Sequence, residues 1–267
     1  MKEQVVILGT RGSVPVSGPD YLGYGGGTTC VLVRLAGQPL VLDAGTGILD
    51  LPGYLRDGER DLPLLLSHPH ADHLLGLPMC PLAFDRRRRL DVYTAHHGGL
   101  DGEAQIRALM APPLWPVGPD KLPARVCFHT LKASQAIGPV RVDTMDGDHP
   151  GGVTVFRLSG GGKRVVFATD CTLSEGLLPA LTGFARGCDL LLIDGQYSPE
   201  EWESNSRFGH STWIDAVRLG AACGAAQVRV IHHHPARTDR ELDGAASQLT
   251  DIHPGCAFAR AGEEIIL

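Results

Sequence analysis

No stretch of this 267-residue chain is an apolar run of the roughly 20 residues that a membrane-crossing helix takes. The opening MKEQVVILGT has one lysine and only a short apolar run before RGSVPVSGPDYLGYGGG, so no signal peptide is read there. A cytoplasmic protein with no membrane partner is therefore expected. Paired cysteines are missing too. The seven present, Cys30, Cys80, Cys127, Cys171, Cys188, Cys223 and Cys256, are odd in number, scattered and without a C-x-x-C pair, which points to buried reduced thiols. Positive charge is in short supply: 24 Lys and Arg against 30 Asp and Glu give a formal charge of -6. A broad duplex-binding surface needs clustered cations, so that class is disfavoured. The one local exception is DRRRRL, with Arg86 to Arg89, and such a run is more often a solvated loop or partner face than a phosphate site. Internal repeats, heptads and low-complexity linkers are also absent.

With 43% hydrophobic and 20% charged residues, the chain can bury a core in one large domain or two small ones. About eleven apolar, often β-branched segments recur between Gly, Pro and Asp turn signals, from QVVILGT and TTCVLVRL through DLPLLLSH to KRVVFATD, CDLLLID and QVRVIHH. Helical spacing is rarer; its better examples are DGEAQIRALM, TLSEGLLPALTGFARG, STWIDAVRLGAACGA and DRELDGAASQL. This balance predicts packed sheets with helices outside rather than regularly alternating βαβ units. The 34 glycines and 19 prolines fit a loop-rich surface on that scaffold.

Read together, the strand ends converge on one chemistry. LLLSH delivers His68, TMDGDH delivers His149, VVFATD delivers Asp170, LLLID delivers Asp194 and VRVIH delivers His232. One such ending is commonplace, but five point to a shared edge where loops meet at a site. The densest signal is SHPHADH. In an extended segment residues two apart face the same way, so His68 and His70 can grip one metal, with Pro69 keeping His68 out of helical geometry. A reversal after Ala71 then turns Asp72 and His73 toward a second metal. Imidazole and carboxylate without thiolate suit zinc, with manganese or iron as alternatives, in a hydrolytic site. An isolated H-x-H is more often a metal-free loop; the full H-x-H-x-D-H spacing after a buried-looking strand reverses that preference.

These motifs, with ILGTRGSVP, YGGGTTCVLV, LVLDAGTGI, SHPHADHLLGLP, DHPGG, FATD, GHST and IHHHPARTD, resemble the metallo-β-lactamase superfamily over nearly the whole chain. The resemblance is strongest to the branch of ribonuclease Z and bacterial cyclic phosphodiesterases. It implies one domain over residues 1–267 with a four-layer αββα sandwich of mixed α/β class. It also implies two divalent ions: His68, His70 and His149 on the first, Asp72, His73 and His232 on the second, and Asp170 bridging. Asp72 would also orient the attacking water. His233 and His234 then fall outside the ligand set, as do His96, His97, His129 and His253, whose spacing matches nothing.

GHST precedes a helix that Ser211 or Thr212 can cap, and the resemblance makes His210 the group that stabilises phosphoryl oxygens or protonates the leaving group. Asp194 is either that histidine's orienting carboxylate or a strand-end turn residue. The expected function is thus a metal-dependent phosphodiesterase acting on a small cyclic nucleotide or related phosphodiester. A ribonuclease Z-like RNA endonuclease is the first alternative, although no long Gly/Pro/basic insertion matching that family's substrate arm is found. An ester, lactone or thioester hydrolase and a non-catalytic binding protein complete the set, because fold alone does not choose among them. Apolar loop pieces such as APPLWPV fit a pocket, a homodimer contact or core equally well.

Overall fold

The computed structural model describes residues 2–267. Six strands come first: β1 (Gln4–Gly9), β2 (Cys30–Leu35), β3 (Gln38–Leu42), β4 (Asp61–Leu66), β5 (Arg89–Thr94) and β6 (Arg125–Thr130), with helix α1 (Gly102–Leu109) between the last two. The second half carries β7 (Ser134–Ile137), β8 (Val140–Gly147), β9 (Val153–Gly160), β10 (Lys163–Ala168), β11 (Leu190–Asp194), β12 (Gln227–Ile231), β13 (Cys256–Phe258) and β14 (Glu264–Ile266). Its helices are α2 (Leu178–Ala185), α3 (Trp202–Asn205), α4 (Trp213–Cys223) and α5 (Asp239–Thr250).

These strands form two seven-stranded mixed sheets, ordered β14-β1-β2-β3-β4-β5-β6 and β13-β12-β11-β10-β9-β8-β7. Strict alternation along the strands makes four layers. In β1, Val5 and Ile7 face the other sheet while Val6 and Leu8 face outward; in β11, Leu190 and Leu192 face inward while Leu191 and Ile193 face outward. Both faces of each sheet are therefore apolar and must be covered. The inward sets meet each other, with Phe156 and Phe167 among them. The outward face of the first sheet is covered by the 3-10 segment Thr46–Tyr54, the loops that follow β4, and α1 through Ile106. The outward face of the second is covered by α2, α4 and α5 through Leu181, Val217, Leu219, Leu242 and Leu249. The expected αββα sandwich is present.

Strands β3 to β6 run parallel, as do β10 to β13, and the antiparallel strands lie at the opposite flank of each sheet. Carboxyl ends of parallel strands open toward one edge, where the backbone leaves the ladder and loops can converge. All eleven apolar segments are strands. The additional three, β7, β13 and β14, are edge strands of three or four residues, too short to show a period. TLSEGLLPALTGFARG is helical only over α2, because Pro179 can enter a helix in its first turn but not its interior.

Candidate metal centre

After β4 the chain stays extended through His68, Pro69 and His70, then a 3-10 turn over Ala71–His73 swings Asp72 and His73 inward. Loops at the carboxyl ends of β8, β10 and β12 bring His149, Asp170 and His232 to the same edge. Ligand-type atoms of His68, His70, His149 and Asp170 lie within 4.8 Å of one another, and so do those of Asp72, His73, Asp170 and His232. All seven residues singled out for metal binding thus meet, and Asp170 belongs to both groups. Its Oδ1 lies 3.2 Å from His73 Nε2 and 3.2 Å from His232 Nε2, while its Oδ2 lies 3.8 Å from His68 Nε2 and 3.8 Å from His149 Nε2.

The backbone is bent to achieve this. Among five non-glycine residues with positive φ, four surround the cluster: Ser13 (62°), Asp43 (58°), Asp170 (51°) and His232 (63°). Such conformations are unfavourable for side chains other than glycine and concentrate where function over-determines geometry. The outer nitrogens of the histidines are fixed as well. His68 Nδ1 lies 3.0 Å from Ser67 Oγ, His73 Nδ1 donates to Asp43 at 2.7 Å, and His149 Nδ1 donates to the Gly209 carbonyl at 2.8 Å.

His210 stands beside the cluster. Its Nδ1 donates to Asp194 Oδ2 at 2.7 Å, and its ring stacks on His232 with centroids 4.9 Å apart. Burial alone would lower its pKa, but the charge and hydrogen bond of Asp194, helped by Asp170 and Asp72, raise it to about 9. Thr212 caps α4 by accepting from the Asp215 amide, whereas Ser211 turns away to bridge the Cys171 carbonyl and the Leu173 amide. The His210 segment is thereby tied to the loop that follows Asp170. A cleft of about 420 Å³ opens over these groups, lined by Ser13, His70, Asp72, His149, Arg207 and Phe208 among others.

A family described as "Beta-lactamase superfamily domain" matches residues 40–233. The chain belongs to the beta-lactamase superfamily. Members similar to it include a ribonuclease Z of Bradyrhizobium sp. (strain ORS 278), 27% identical over 90% of this chain and 92% of that protein. A ribonuclease Z of Bradyrhizobium diazoefficiens is 24% identical over 98% of this chain and 99% of its own. Among solved structures, the metallo-beta-lactamase fold protein YhfI from Bacillus subtilis superposes with a TM-score of 0.74 at 19% identity, covering 98% of each chain. The short form of human tRNase Z gives 0.70 at 18% identity, again with 98% of each chain covered.

As a member of the beta-lactamase superfamily the chain should hold divalent cations, and its residues fit that demand. His68 Nε2 and His73 Nε2 are buried without a hydrogen-bond partner, and their outer nitrogens are already engaged, so these lone pairs point inward. Burial first, and then neighbouring imidazoles, hold His68 well below the usual histidine pKa. His70 and His149 are also lowered by burial, against the pull of Asp170. Neutral imidazoles are the ligand form. At His73 the balance is the reverse: burial opposes its charge, but the Asp170, Asp72 and Asp43 carboxylates hold it well above the usual histidine pKa. His232 and His73 in turn outweigh burial to keep the Asp170 carboxyl well below the carboxylate range, so a cation bound there would take the place of the His73 proton. A third grouping, Asp170, Asp194, His210 and His232, is also compact. There both Asp194 oxygens are taken, Oδ2 by His210 and Oδ1 by the Gln196 amide at 2.9 Å, so the first two groups suit cations better.

Sequence reasoning passed over Asp43. This buried carboxylate accepts from His73 Nδ1, the Ser67 amide and the Ser67 hydroxyl. Its signal was available: PLVLD is one more apolar strand ending in a carboxylate. The Ser13 amide, which donates to Asp72 Oδ2 at 2.7 Å, carries no side-chain signal at all. Histidines left off the site have structural partners. His97 pairs with Thr154 Oγ1 at 3.0 Å, His129 with Asp91 at 2.6 Å, His253 with the Ala225 carbonyl at 2.9 Å and His233 with the Ala259 carbonyl at 2.9 Å. Arg86 to Arg89 lie at the amino-terminal end of β5, away from the site edge, where Arg87 and Arg88 pair with Asp85 and Arg89 with Asp91. In APPLWPV, Trp115 packs on the first sheet's outer cluster while Leu114 and Val117 are exposed. No helix among the described residues is long and apolar enough to cross a membrane.

Proposed function

We propose that this protein is a metal-dependent phosphodiesterase whose substrate is a small cyclic nucleotide or a related phosphodiester. The observation that carries the reading is the Asp194–His210 pair, 2.7 Å apart, set against the edge of a cluster able to hold two cations. His68, His70, His149 and Asp170 would hold one divalent ion and Asp72, His73, His232 and Asp170 a second, zinc foremost, and the pair would supply Lewis acidity toward the phosphoryl group and the attacking water. Everything else falls to the side chains. Asp72, pinned through Oδ2 by the Ser13 amide and by His232 Nε2 at 3.1 Å, orients the attacking water. His210 commits Nδ1 to Asp194 and so presents Nε2 to the cleft. The ring's proton there stabilises a phosphoryl oxygen or passes to the leaving oxygen. Alkoxide leaving groups of phosphodiesters need that proton, so a carboxylate-backed histidine suits them.

A second reading, RNA as the substrate, is favoured by the relatives named ribonuclease Z, which align over nine-tenths or more of their own length. The chemistry is the same; substrate size separates the two. Rates of hydrolysis of 2′,3′- and 3′,5′-cyclic nucleotides and of an RNA carrying a 3′ extension, with zinc- or manganese-loaded protein and Asp170→Ala as control, test both. Cyclic-nucleotide turnover missing from the control supports the first reading, and RNA cleavage alone moves the assignment to the second. His210→Ala should keep its metal and lose turnover by about 10²-fold or more. Hydrolysis of a neutral lactone or thioester that ignores His210→Ala would overturn the phosphodiesterase reading.

A further inference from the structure

The loop that delivers His210 carries two residues for which phosphodiester chemistry has no use. Arg207 and Phe208 both line the cleft over the cation-type cluster, and both are exposed, Phe208 to 61%. Phe208 gains little from burial in the free chain, and it stands at the mouth of the cleft, where the flat face of a ligand would cover it. Its place is fixed by its neighbours. The Phe208 amide donates to the Asn205 carbonyl at 3.1 Å, and the next residue, Gly209, gives its carbonyl to His149 Nδ1 at 2.8 Å. Gly209 has φ +87°, and a Cβ there would fall 2.2 Å from His149 Nδ1, so the backbone beside Phe208 is pressed against a ligand histidine. Arg207, by contrast, enters no hydrogen bond or ion pair among the described residues and leaves its guanidinium free at the same rim.

One flat apolar face, one free cation and a polar floor complement a particular kind of ligand. Apart from Phe208, the apolar lining amounts to Ala71 and Pro150, too little to enclose an alkyl chain. A nucleoside phosphate matches it: a planar base needs one aromatic face, and its phosphate needs a cation a few bonds away. We propose that Phe208 and Arg207 form a nucleotide-binding lip, in which Phe208 stacks the substrate's base and Arg207 attracts its phosphate. This rests on the phosphodiesterase reading and narrows it to nucleotides over simple phosphodiesters. A platform open on one side stacks bases without reading their edges, so purines and pyrimidines are both accepted.

Calorimetric titration of zinc-loaded protein with AMP, UMP and ribose 5-phosphate tests the lip without needing turnover. The wild-type chain should bind AMP and UMP more tightly than ribose 5-phosphate, with AMP about tenfold tighter. Phe208→Ala should abolish that preference and Phe208→Trp should keep it. Arg207→Ala should weaken all three ligands by a similar factor. No preference for AMP over ribose 5-phosphate in the wild type, a preference that survives Phe208→Ala, or no binding of any of the three overturns the proposal. Base preference without hydrolysis of any cyclic nucleotide or RNA would instead leave the lip standing and remove the phosphodiesterase reading. Hydrolysis without base preference would do the reverse.

Discussion

At the level of single side chains, Asp43 acts on both halves of the cluster from behind the histidines. It sits at the end of β3 with φ 58° and accepts three hydrogen bonds, from His73 Nδ1 and from the amide and hydroxyl of Ser67. Ser67 in turn meets His68 Nδ1, so one carboxylate sets the rings of two histidines from different ligand groups. Asp43→Asn tolerates the left-handed backbone but removes the charge behind His73. Zinc affinity, read by competition with a chromophoric chelator, should fall roughly ten- to hundredfold. Unchanged affinity would show that the ring orientation survives without the carboxylate. Asp194 plays the matching part for His210. Burial lowers the histidine's pKa, but Asp194, with Asp170 and Asp72, raises it to about 9, so the ring's proton is present below that pH and lost above it. Asp194→Asn withdraws the main raising influence, and the alkaline limb of the turnover profile should move to lower pH. A limb that does not move would mean that His210 is not the titrating acid.

At the level of elements, the loop between α3 and α4 is where backbone and chemistry are most tightly coupled. Gly209→Ala forces a Cβ to within 2.2 Å of His149 Nδ1 and 2.4 Å of Pro150 Cδ while φ stays at +87°. Neither neighbour is the free end of a flexible chain, so the His149 ring or the His210 loop must shift. Turnover should drop by at least about tenfold, since small misplacements of catalytic groups are expensive in rate. The far-UV circular dichroism spectrum should stay the same; full activity would show that the loop can yield. This loop also marks the limit of what the sequence discloses. Strands β1 to β6 and β8 to β12 were legible because each is an apolar, often β-branched segment of five residues or more between turn signals. The residues that meet in the cluster were legible because they stand at or just beyond the ends of those strands. Phe208 and Arg207 were not, because the exposure of a loop residue depends on how neighbouring loops fold over it. The Ser13 amide was invisible for a related reason: backbone donors have no residue type. Between Ser211 and Thr212 as cap, residue type alone could not decide, and the choice follows from Ser211 being drawn to the Cys171 carbonyl.

At the scale of the whole molecule, the candidate centre is a seam. His68, His70, Asp72 and His73 follow β4 of the first sheet, whereas His149, Asp170 and His232 follow β8, β10 and β12 of the second. Asp170 reaches across to within 3.2 Å of His73 Nε2, so each ligand group draws on both sheets. Cations bound there would clamp the two halves of the sandwich at one edge, in addition to the apolar layer between them. Ligands that bind only the folded state raise stability by RT ln(1 + [L]/Kd), about 4 kcal/mol at a thousandfold excess over Kd. Chelation should therefore lower the melting temperature by several degrees, and zinc should restore it in proportion to the logarithm of its free concentration. Asp170→Ala takes away the carboxylate common to both groups and should flatten that dependence. Phe208→Ala, at the exposed rim, should leave it intact. A melting temperature indifferent to chelation in the wild type would mean that the sheets are held by the Phe156 and Phe167 layer alone, and that the cluster binds its ions too weakly to link the sheets.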